Sequence, residues 1–315
     1  MNILITGASG VIGLKLVEHF AHNTDAVIDA CYFSESSDLI QLSHTFPGRV
    51  RPMPYRDIIQ MVKPIIYDQI WHFATYGQPA RFIDSWMDVV ELNSEHIVKL
   101  SSLLADNGVF NYASTSELYS SLSQATEQSV PTSYPHGVRS IYTESKRLGE
   151  AICSTIFTKE RHLIFRICLA YSDKFRFDDR RVLYELVMKG LIDGYITLLD
   201  SGSAKRQYIF IDDAIRMMIN LSGDYRRLEY PDSVFNIANN NPITIMQLAT
   251  RISDIIECPV YPGKLNNFMG ALDSVEVVPK RYTELYPEFE FTDIAQGLTA
   301  VVDSGRRMLS FSENL

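Results

Sequence analysis

The sequence predicts an α/β fold in which a doubly wound parallel sheet is accompanied by a smaller, mixed α/β lobe. A glycine-rich turn joins the first strand to the first helix, strands and helices alternate to about residue 170, and the alternation then loosens. The 315 residues allow about two lobes of roughly 150 residues each. We therefore assign residues 1–170, with sheet pieces near 206–238, to one domain and residues 171–315 mainly to a second, interleaved lobe.

Apolar periodicity places the elements of the first domain. Runs rich in β-branched residues predict strands, and apolar residues three and four apart predict helices. The predicted strands are residues 2–6, 26–33, 50–54, 69–74, 109–113 and 163–170. The predicted helices are residues 14–23, 89–104 and 142–158, and residues 172–194 also have a helical pattern. This alternation predicts a parallel sheet that is buried on both faces.

The composition excludes several classes of protein. Apolar residues make up 46% and charged residues 21% of the chain, which excludes collagen-like, disordered and disulfide-scaffold proteins. A net charge of −9 argues against a nucleic acid or an anionic membrane as partner. The four cysteines are isolated, and no Cys/His cluster has zinc spacing, so we expect free thiols and no metal. Without a charged leader or a long apolar run, we expect a cytoplasmic protein.

Three glycines follow the first strand at regular spacing. Gly7 would let the chain turn sharply, Gly10 would let backbone approach a pyrophosphate, and Gly13 would let helix and strand pack closely. The helix that follows offers free N–H groups and the positive end of its dipole to phosphate. A glycine trio alone is also compatible with a purely structural turn. Between a strand and a helix, it predicts a Rossmann-like dinucleotide site.

The expected ribose-binding acid is ambiguous. Such an acid normally lies about 20 residues beyond the glycines, at the end of the second strand. Asp29 is the acid in that strand but lies in its middle, and the end falls near Cys31 or Tyr32. The following residues, 31–38, contain no arginine for a 2′-phosphate, which favours NAD over NADP.

A tyrosine and a lysine lie four residues apart at the start of a predicted helix. Tyr142 and Lys146 therefore share one helical face. A nearby ammonium favours the phenolate, which would make the tyrosine a usable general base. By itself such a pair is also compatible with an accidental surface arrangement. Together with the glycine turn, the pair is a far more specific signal.

These motifs resemble those of the extended short-chain dehydrogenase/reductases, in particular the nucleotide-sugar epimerase/dehydratase family. The resemblance covers nearly the whole chain, and the versions of several motifs are similar to those of UDP-glucuronate decarboxylases. The matching segments include TGASGVIG (6–13), HFA (72–74), ASTSELY (113–119), YTESK (142–146) and SGSAKRQYIFIDDA (201–214). The resemblance implies NAD as cofactor, a nucleotide-activated sugar as substrate, binding of that sugar by the second lobe, and a homodimer formed by the helices around Asn93 and Tyr142.

The resemblance also implies a role for individual residues. The implied catalytic residues are Thr115, Glu117, Tyr142 and Lys146. The implied NAD-binding residues are Gly7, Ser9, Gly10, Val11, Ile12, Gly13, Phe73, Ala74, Thr75, Ala113, Tyr142 and Lys146. The implied substrate-binding residues are Thr115, Ser116, Arg181 and Arg206. Ser116 stands where dehydratases usually carry an acidic aspartate, which argues against 4,6-dehydration.

Several residues depart from the family pattern around the sugar pocket, and the final reaction stays open. The departures are Ser120, Leu169, Ser172 and Arg180. The implied chemistry passes through a 4-keto sugar, which would then undergo decarboxylation, dehydration, epimerisation or re-reduction. Two other functions are an NAD(P)H-dependent keto-sugar reductase and a non-catalytic dinucleotide sensor. His72 is more typical of a hydrogen-bonded core residue than of an acid or base, and Arg206 has Asp212 and Asp213 as alternative partners.

Overall fold

The structure is a computed structural model that describes most of the chain. The described residues are 1–61, 65–76, 84–119, 122–132, 135–137, 139–175, 177, 179–264 and 275–312, with side chains to residue 310. Ser120, one of the departures from the family pattern, lies outside them. No helix in the described ranges is long and apolar enough to cross a membrane.

In the described part of the chain, seven parallel strands form the central sheet, and four further pairs of short strands accompany it. The strands are β1 (Asn2–Thr6), β2 (Val27–Tyr32), β3 (Val50–Pro54), β4 (Tyr67–His72), β5 (Leu104–Thr115), β6 (Gln124–Ala125), β7 (His162–Ile167), β8 (Leu169–Tyr171), β9 (Ile196–Thr197), β10 (Lys205–Arg206), β11 (Tyr208–Phe210), β12 (Val234–Ile237), β13 (Ile243–Thr244), β14 (Val260–Tyr261) and β15 (Glu276–Val277). The central order is β12-β7-β5-β4-β1-β2-β3. The order reverses between β1 and β4, which is where doubly wound sheets bind ligands at their carboxyl ends.

Helices cover both faces of this sheet. The helices are α1 (Val11–Asn23), α2 (Ser37–Thr45), α3 (Tyr55–Ile59), α4 (Trp86–Leu92), α5 (Glu95–Ser101), α6 (Ser140–Ile156), α7 (Val182–Asp193), α8 (Ile211–Asp224), α9 (Ile245–Ile256), α10 (Lys280–Leu285) and α11 (Ile294–Ser312). Side chains of β1 alternate between two cores: Ile3 and Ile5 belong to one cluster and Leu4 to the other. The sheet is therefore buried on both faces, as its apolar strands predict.

A third core lies in the C-terminal part of the chain. It is formed largely by α7, α9 and α11, through buried residues such as Val187, Leu248 and Val302. The short strands β8 and β11 run parallel to each other beside it, and β10 pairs with β13. This part of the chain therefore has a hydrophobic core of its own. Strand β12, in contrast, pairs with β7 in the central sheet.

Two predicted elements are divided in the structure. The helix expected at residues 89–104 is two helices, because the side chains of Asn93 and Ser94 hydrogen-bond back to the carbonyls of Val89 (2.9 Å) and Val90 (2.6 Å) and end α4. The strand expected at residues 163–170 is β7 and β8. Between them, the Cys168 N–H donates to the Ile237 carbonyl (3.0 Å), and β8 then pairs with β11.

The prediction of a helix over residues 172–194 is wrong for the first half of that range. Helix α7 begins only at Val182, after Arg181. The preceding segment is held by side chains instead, since the Tyr184 hydroxyl accepts from the Ser172 N–H (2.9 Å). An apolar pattern alone does not reveal such a side-chain anchor.

Candidate active site

The glycine turn lies at the carboxyl end of β1. Its three glycines differ in how closely their neighbours would approach a side chain. Gly7 has φ +72°, and a Cβ on it would lie 2.6 Å from the carbonyl oxygen of Phe73. A Cβ on Gly13 would lie 2.2 Å from the Gly7 carbonyl oxygen. Among the described residues other than its chain neighbours, a Cβ on Gly10 would approach only the Gly7 carbonyl oxygen, at 3.2 Å. Gly10 is therefore less crowded than Gly7 and Gly13, which are needed for the turn and its packing.

The groups around this turn fit a dinucleotide. Helix α1 starts at Val11 with Gly10 as N-cap, and no described side chain caps it, so its first N–H groups are available to phosphate. Thr75, just beyond β4, has a buried hydroxyl with no hydrogen-bond partner among the described residues. Phe73 and Ala74 lie against Gly7. These residues could hold NAD, and the individual cofactor assignments, Ser9 and Ile12 included, stay predictions.

His72 is a structural residue beneath the turn. Thr6 donates its hydroxyl hydrogen to His72 Nδ1 (2.8 Å), and His72 Nε2 donates to the Leu92 carbonyl (2.7 Å). The Thr6 oxygen also accepts from the N–H groups of Phe73 and Ala74, both at 3.1 Å. Burial lowers the pKa of His72 to about 3, so the ring is neutral. These contacts favour the hydrogen-bonded core interpretation over an acid/base role.

The structure brings Thr115 and Tyr142 together. Thr115 is the last residue of β5, and Tyr142 lies in the first turn of α6, where its phenol hydrogen-bonds the Thr115 hydroxyl. Burial and the charge of Glu117 raise the pKa of Tyr142, while the Thr115 hydrogen bond and Arg139 lower it. The net shift is upward. In the free chain, Tyr142 is therefore a neutral phenol already oriented by Thr115.

Lys146 lies one turn beyond Tyr142 and is buried. Its Nζ donates to the Ala113 carbonyl (2.6 Å) and lies 4.9 Å from the centre of the Tyr112 ring. Burial lowers the pKa of Lys146 to about 7, against the opposing effect of nearby Glu150. The lysine thus sits at the end of β5 with a charge that titrates near neutral pH.

Behind Lys146 lies an ion pair that the sequence analysis missed. Glu150 binds Arg166 of β7 through two bonds, of 2.9 and 2.6 Å, and accepts from the Ser114 hydroxyl at 2.5 Å. Arg166 also donates to the Tyr119 hydroxyl (2.7 Å). The pair ties α6 to β5 and β7. The one signal in the sequence was the spacing of Glu150, four residues after Lys146.

A second missed residue, Arg139, binds the predicted glutamate. Its guanidinium forms two bonds of 2.5 Å to the Glu117 carboxylate, and both side chains are partly exposed. Glu117 and the half-buried Ser116 follow Thr115 in a 3₁₀ turn (Ser116–Tyr119). Glu117 therefore lies beside Tyr142 as a paired carboxylate. In the sequence, only the position of Arg139, three residues before Tyr142, pointed to a place for it near the site.

The two predicted substrate arginines approach Tyr208. Arg181 binds Asp179 (2.7 Å), donates to the Ala170 carbonyl (3.1 Å) and lies over the Tyr184 ring. Arg206 donates to the Lys205 carbonyl (2.7 Å). Burial raises the pKa of Tyr208 to about 12, although both arginines act to lower it. Both positive charges thus lie near one phenol, and their role in binding substrate stays a prediction.

Asp212 and Asp213 have other partners. Asp212 pairs with Lys15 (3.2 Å), and the buried Asp213 pairs with Arg216 (2.5 Å). Among the described residues, these two carboxylates are thus paired with cations other than Arg206. Leu169, a departure from the family pattern, is 40% exposed on β8.

The structure resolves the ambiguity over Asp29. Its carboxylate binds Arg51 through bonds of 2.7 and 2.8 Å and accepts from the Tyr67 hydroxyl at 2.6 Å. Asp29 is only 1% exposed and lies three residues before the end of β2. It is therefore unavailable to a ribose. Its partners come from β3 and β4, which a sequence pattern cannot bring together.

Comparison with known proteins agrees with this geometry. The model of the "NAD dependent epimerase/dehydratase family" matches residues 3–238. UDP-glucuronic acid decarboxylase 6 of Arabidopsis thaliana is 26% identical over 278 residues, which cover 85% of this chain and 78% of the relative. The fold is similar to that of UDP-glucose 4-epimerase from Thermotoga maritima (TM-score 0.76, 19% identity, 98% of this chain, 100% of the other). It is also similar to UDP-glucuronic acid 4-epimerase from Bacillus cereus (TM-score 0.75, 19% identity, 98% and 100%).

Proposed function

The chain belongs to the NAD-dependent epimerase/dehydratase family, and from this premise we propose that it oxidises C4 of a UDP-activated sugar to a 4-keto intermediate. The observation that carries the proposal is the Thr115–Tyr142 hydrogen bond at the carboxyl end of β5, with buried Lys146 one turn away. NAD bound at the glycine turn would supply a hydride acceptor that is regenerated within the cycle, so no cofactor would be consumed.

The proposed proton chemistry uses residues of this chain alone. Tyr142 accepts the proton of the C4 hydroxyl, and Thr115 donates a hydrogen bond that orients the reacting oxygen. The positive charge of Lys146 favours the phenolate form that this step requires. Glu117, held by Arg139, lies beside the phenol and is placed to interact with the sugar. Fixed geometry of this kind contributes much of the rate enhancement of such enzymes.

We favour decarboxylation as the step that follows. In a 4-keto uronic acid the carboxylate is β to the ketone, so the C5–C6 bond breaks, carbon dioxide leaves, and the electron pair is held as an enolate until C5 is protonated. The decarboxylase-like motifs, the decarboxylases among the relatives and Ser116 in place of an acid support this choice. Arg181 and Arg206 are the proposed partners of the substrate's anionic groups.

A panel of nucleotide sugars tests the reaction. The purified chain is incubated with UDP-, dTDP-, GDP- and CDP-sugars, and the products are identified by mass. A product lighter by carbon dioxide supports a lyase, loss of water supports dehydration, and an isobaric product supports an isomerase. Stoichiometric oxidation of NAD(P)H would instead support a reductase. A Tyr142→Phe variant with the wild-type rate would refute the proton chemistry, and no turnover of any sugar would favour a sensor.

We also propose a homodimer formed by α4, α5 and α6. These helices expose large apolar side chains in the single chain, which a partner copy would cover. The exposed residues are Trp86 (51%), Met87 (56%), Val98 (51%), Leu148 (46%) and Ile156 (39%). Light scattering of Leu148→Glu is expected to give a monomer. The control is Leu199→Glu, which changes a leucine that is 57% exposed on another part of the chain. A monomeric wild type would refute the dimer.

A further inference from the structure

The second strand ends without the acid that usually holds the adenosine ribose. In doubly wound dinucleotide sites, an acid at the end of the second strand binds the ribose hydroxyls. Here Asp29 is bound by Arg51 and Tyr67 inside the sheet, and the residues from there to the end of β2 are Ala30, Cys31 and Tyr32. The strand therefore offers the ribose no carboxylate.

Aromatic residues occupy this edge of the sheet instead. Phe33 follows β2, Tyr55 follows β3, and Tyr76 lies beyond β4, so one ring follows the end of each of these strands, with β1 between β4 and β2 in the sheet. The rings of Phe33 and Tyr55 are 4.7 Å apart, and those of Phe33 and Tyr76 are 6.3 Å apart and within 25° of parallel. We call these three residues the aromatic shelf.

The accessibility of the shelf suits a flat ligand. Phe33 is 55% exposed and Tyr76 is half-buried, while Tyr55 is 3% exposed and supports Phe33 from below. Tyr76 is tethered by its hydroxyl, which donates to Asp88 at 3.1 Å. A planar base inserted between two rings needs about 7 Å, or two contacts of about 3.5 Å. The ring centres of Phe33 and Tyr76 are 6.3 Å apart, which is less than that spacing, so the exposed ring of Phe33 is the stacking surface and Tyr76 borders it.

We propose that the adenine of NAD stacks on the exposed ring of Phe33, beside Tyr76, and that this stacking replaces the ribose–carboxylate contact. The glycine turn fixes the pyrophosphate at the end of β1, which places the adenosine half over β2 and β3, where the shelf lies. Two consequences follow. The aromatic ring of Phe33 contributes strongly to nucleotide affinity, and the ribose 2′-hydroxyl contributes little.

Binding measurements test the first consequence without relying on turnover. Calorimetry gives Kd for NAD, ADP-ribose and nicotinamide mononucleotide with the wild type and with Phe33→Ala. Since base–aromatic stacking is worth about 1–3 kcal/mol, Kd for NAD and ADP-ribose is expected to rise about 5- to 150-fold, while nicotinamide mononucleotide binding stays unchanged. Phe33→Trp is expected to restore affinity. Tyr261→Ala, which removes a 51% exposed ring elsewhere, is the control and leaves every Kd unchanged.

A second comparison tests the ribose. The wild type is expected to bind ADP and 2′-deoxy-ADP with Kd values that agree within about threefold, whereas a carboxylate hydrogen bond would be worth about 1.5–3 kcal/mol, or roughly 10- to 150-fold. A tenfold preference for ADP, or an unchanged Kd for NAD in Phe33→Ala, would overturn the proposal. Both outcomes are independent of the sugar and of the reaction. A correct cofactor site with no sugar turnover would leave this inference standing while removing the proposed function.

Discussion

Replacing Lys146 by methionine is expected to remove activity and to make the unfolding free energy less dependent on pH. Methionine has a similar length and no charge, so it fills the same buried space at the end of β5. The lysine is 1% exposed, and burial lowers its pKa to about 7 from an ordinary value of 10.5. The unfolded chain therefore binds one more proton than the folded chain between about pH 7 and pH 10.5.

The size of the effect follows from that difference. Because the unfolded state holds the extra proton, the stability of the wild type rises with pH through this window, by slightly more than 1 kcal/mol per pH unit from this one group. The full penalty for burying the ammonium is present below about pH 7. From about pH 7.5 to 9.5, the unfolding free energy of the wild type should therefore rise about 2 to 3 kcal/mol more than that of Lys146→Met.

Urea unfolding at the two pH values measures this difference. Lys99→Met is the matched control, because Lys99 lies on the surface of α5 with 44% of its side chain exposed. It should have the same pH dependence as the wild type. If Lys146→Met also matches the wild type to within about 1 kcal/mol, Lys146 keeps its ordinary pKa in the folded chain, and the account of its charge is wrong.

Three further substitutions test other parts of the site. Glu150→Gln leaves Arg166 as an uncompensated buried charge and should lower the unfolding free energy by about 3–5 kcal/mol, as measured by denaturant titration; an unchanged midpoint would contradict this. Gly13→Ala places a Cβ against the Gly7 carbonyl and should lower the melting temperature and weaken NAD binding, whereas Gly223→Ala, with open space around it, should stabilise α8 by up to about 1 kcal/mol. Arg139→Gln leaves Glu117 unneutralised beside the tyrosine and raises the pKa of Tyr142, so the ascending, acidic limb of the kcat/KM profile should move to higher pH; an unmoved limb would count against that pairing.

The parts of the fold that depend on local order were predictable. The β-branched run of β1, the glycine turn and the apolar face of α1 are each encoded within a few residues, and β1 and β3 have the predicted bounds. Side-chain bonds to the backbone were harder to foresee. Asn93 and Ser94 end α4 because their side chains compete for helix carbonyls, although both residues fit a continuous helical pattern.

The site was predictable where its residues come from one segment and not where they pair across segments. Tyr142 and Lys146 share a helix, so their spacing, taken together with the glycine turn, was enough to select them as candidates. Asp29 pairs with Arg51 from a different strand, and only the register of β2 against β3 brings them together. For the same reason, a carboxylate at the right distance from the glycines was a plausible ribose ligand until its partner was visible.

The neutral ring of His72 has a consequence for any kinetic study of this protein. With its pKa lowered to about 3 by burial and both nitrogens hydrogen-bonded, the imidazole is neutral near neutral pH. An inflection near neutral pH in a pH–rate profile is often assigned to a histidine. Here it must be assigned to a group other than His72. The hydrogen bond from Thr6 makes His72 a structural link between β1 and β4. Because its ring stays neutral, it adds no titration to the pH dependence of the site.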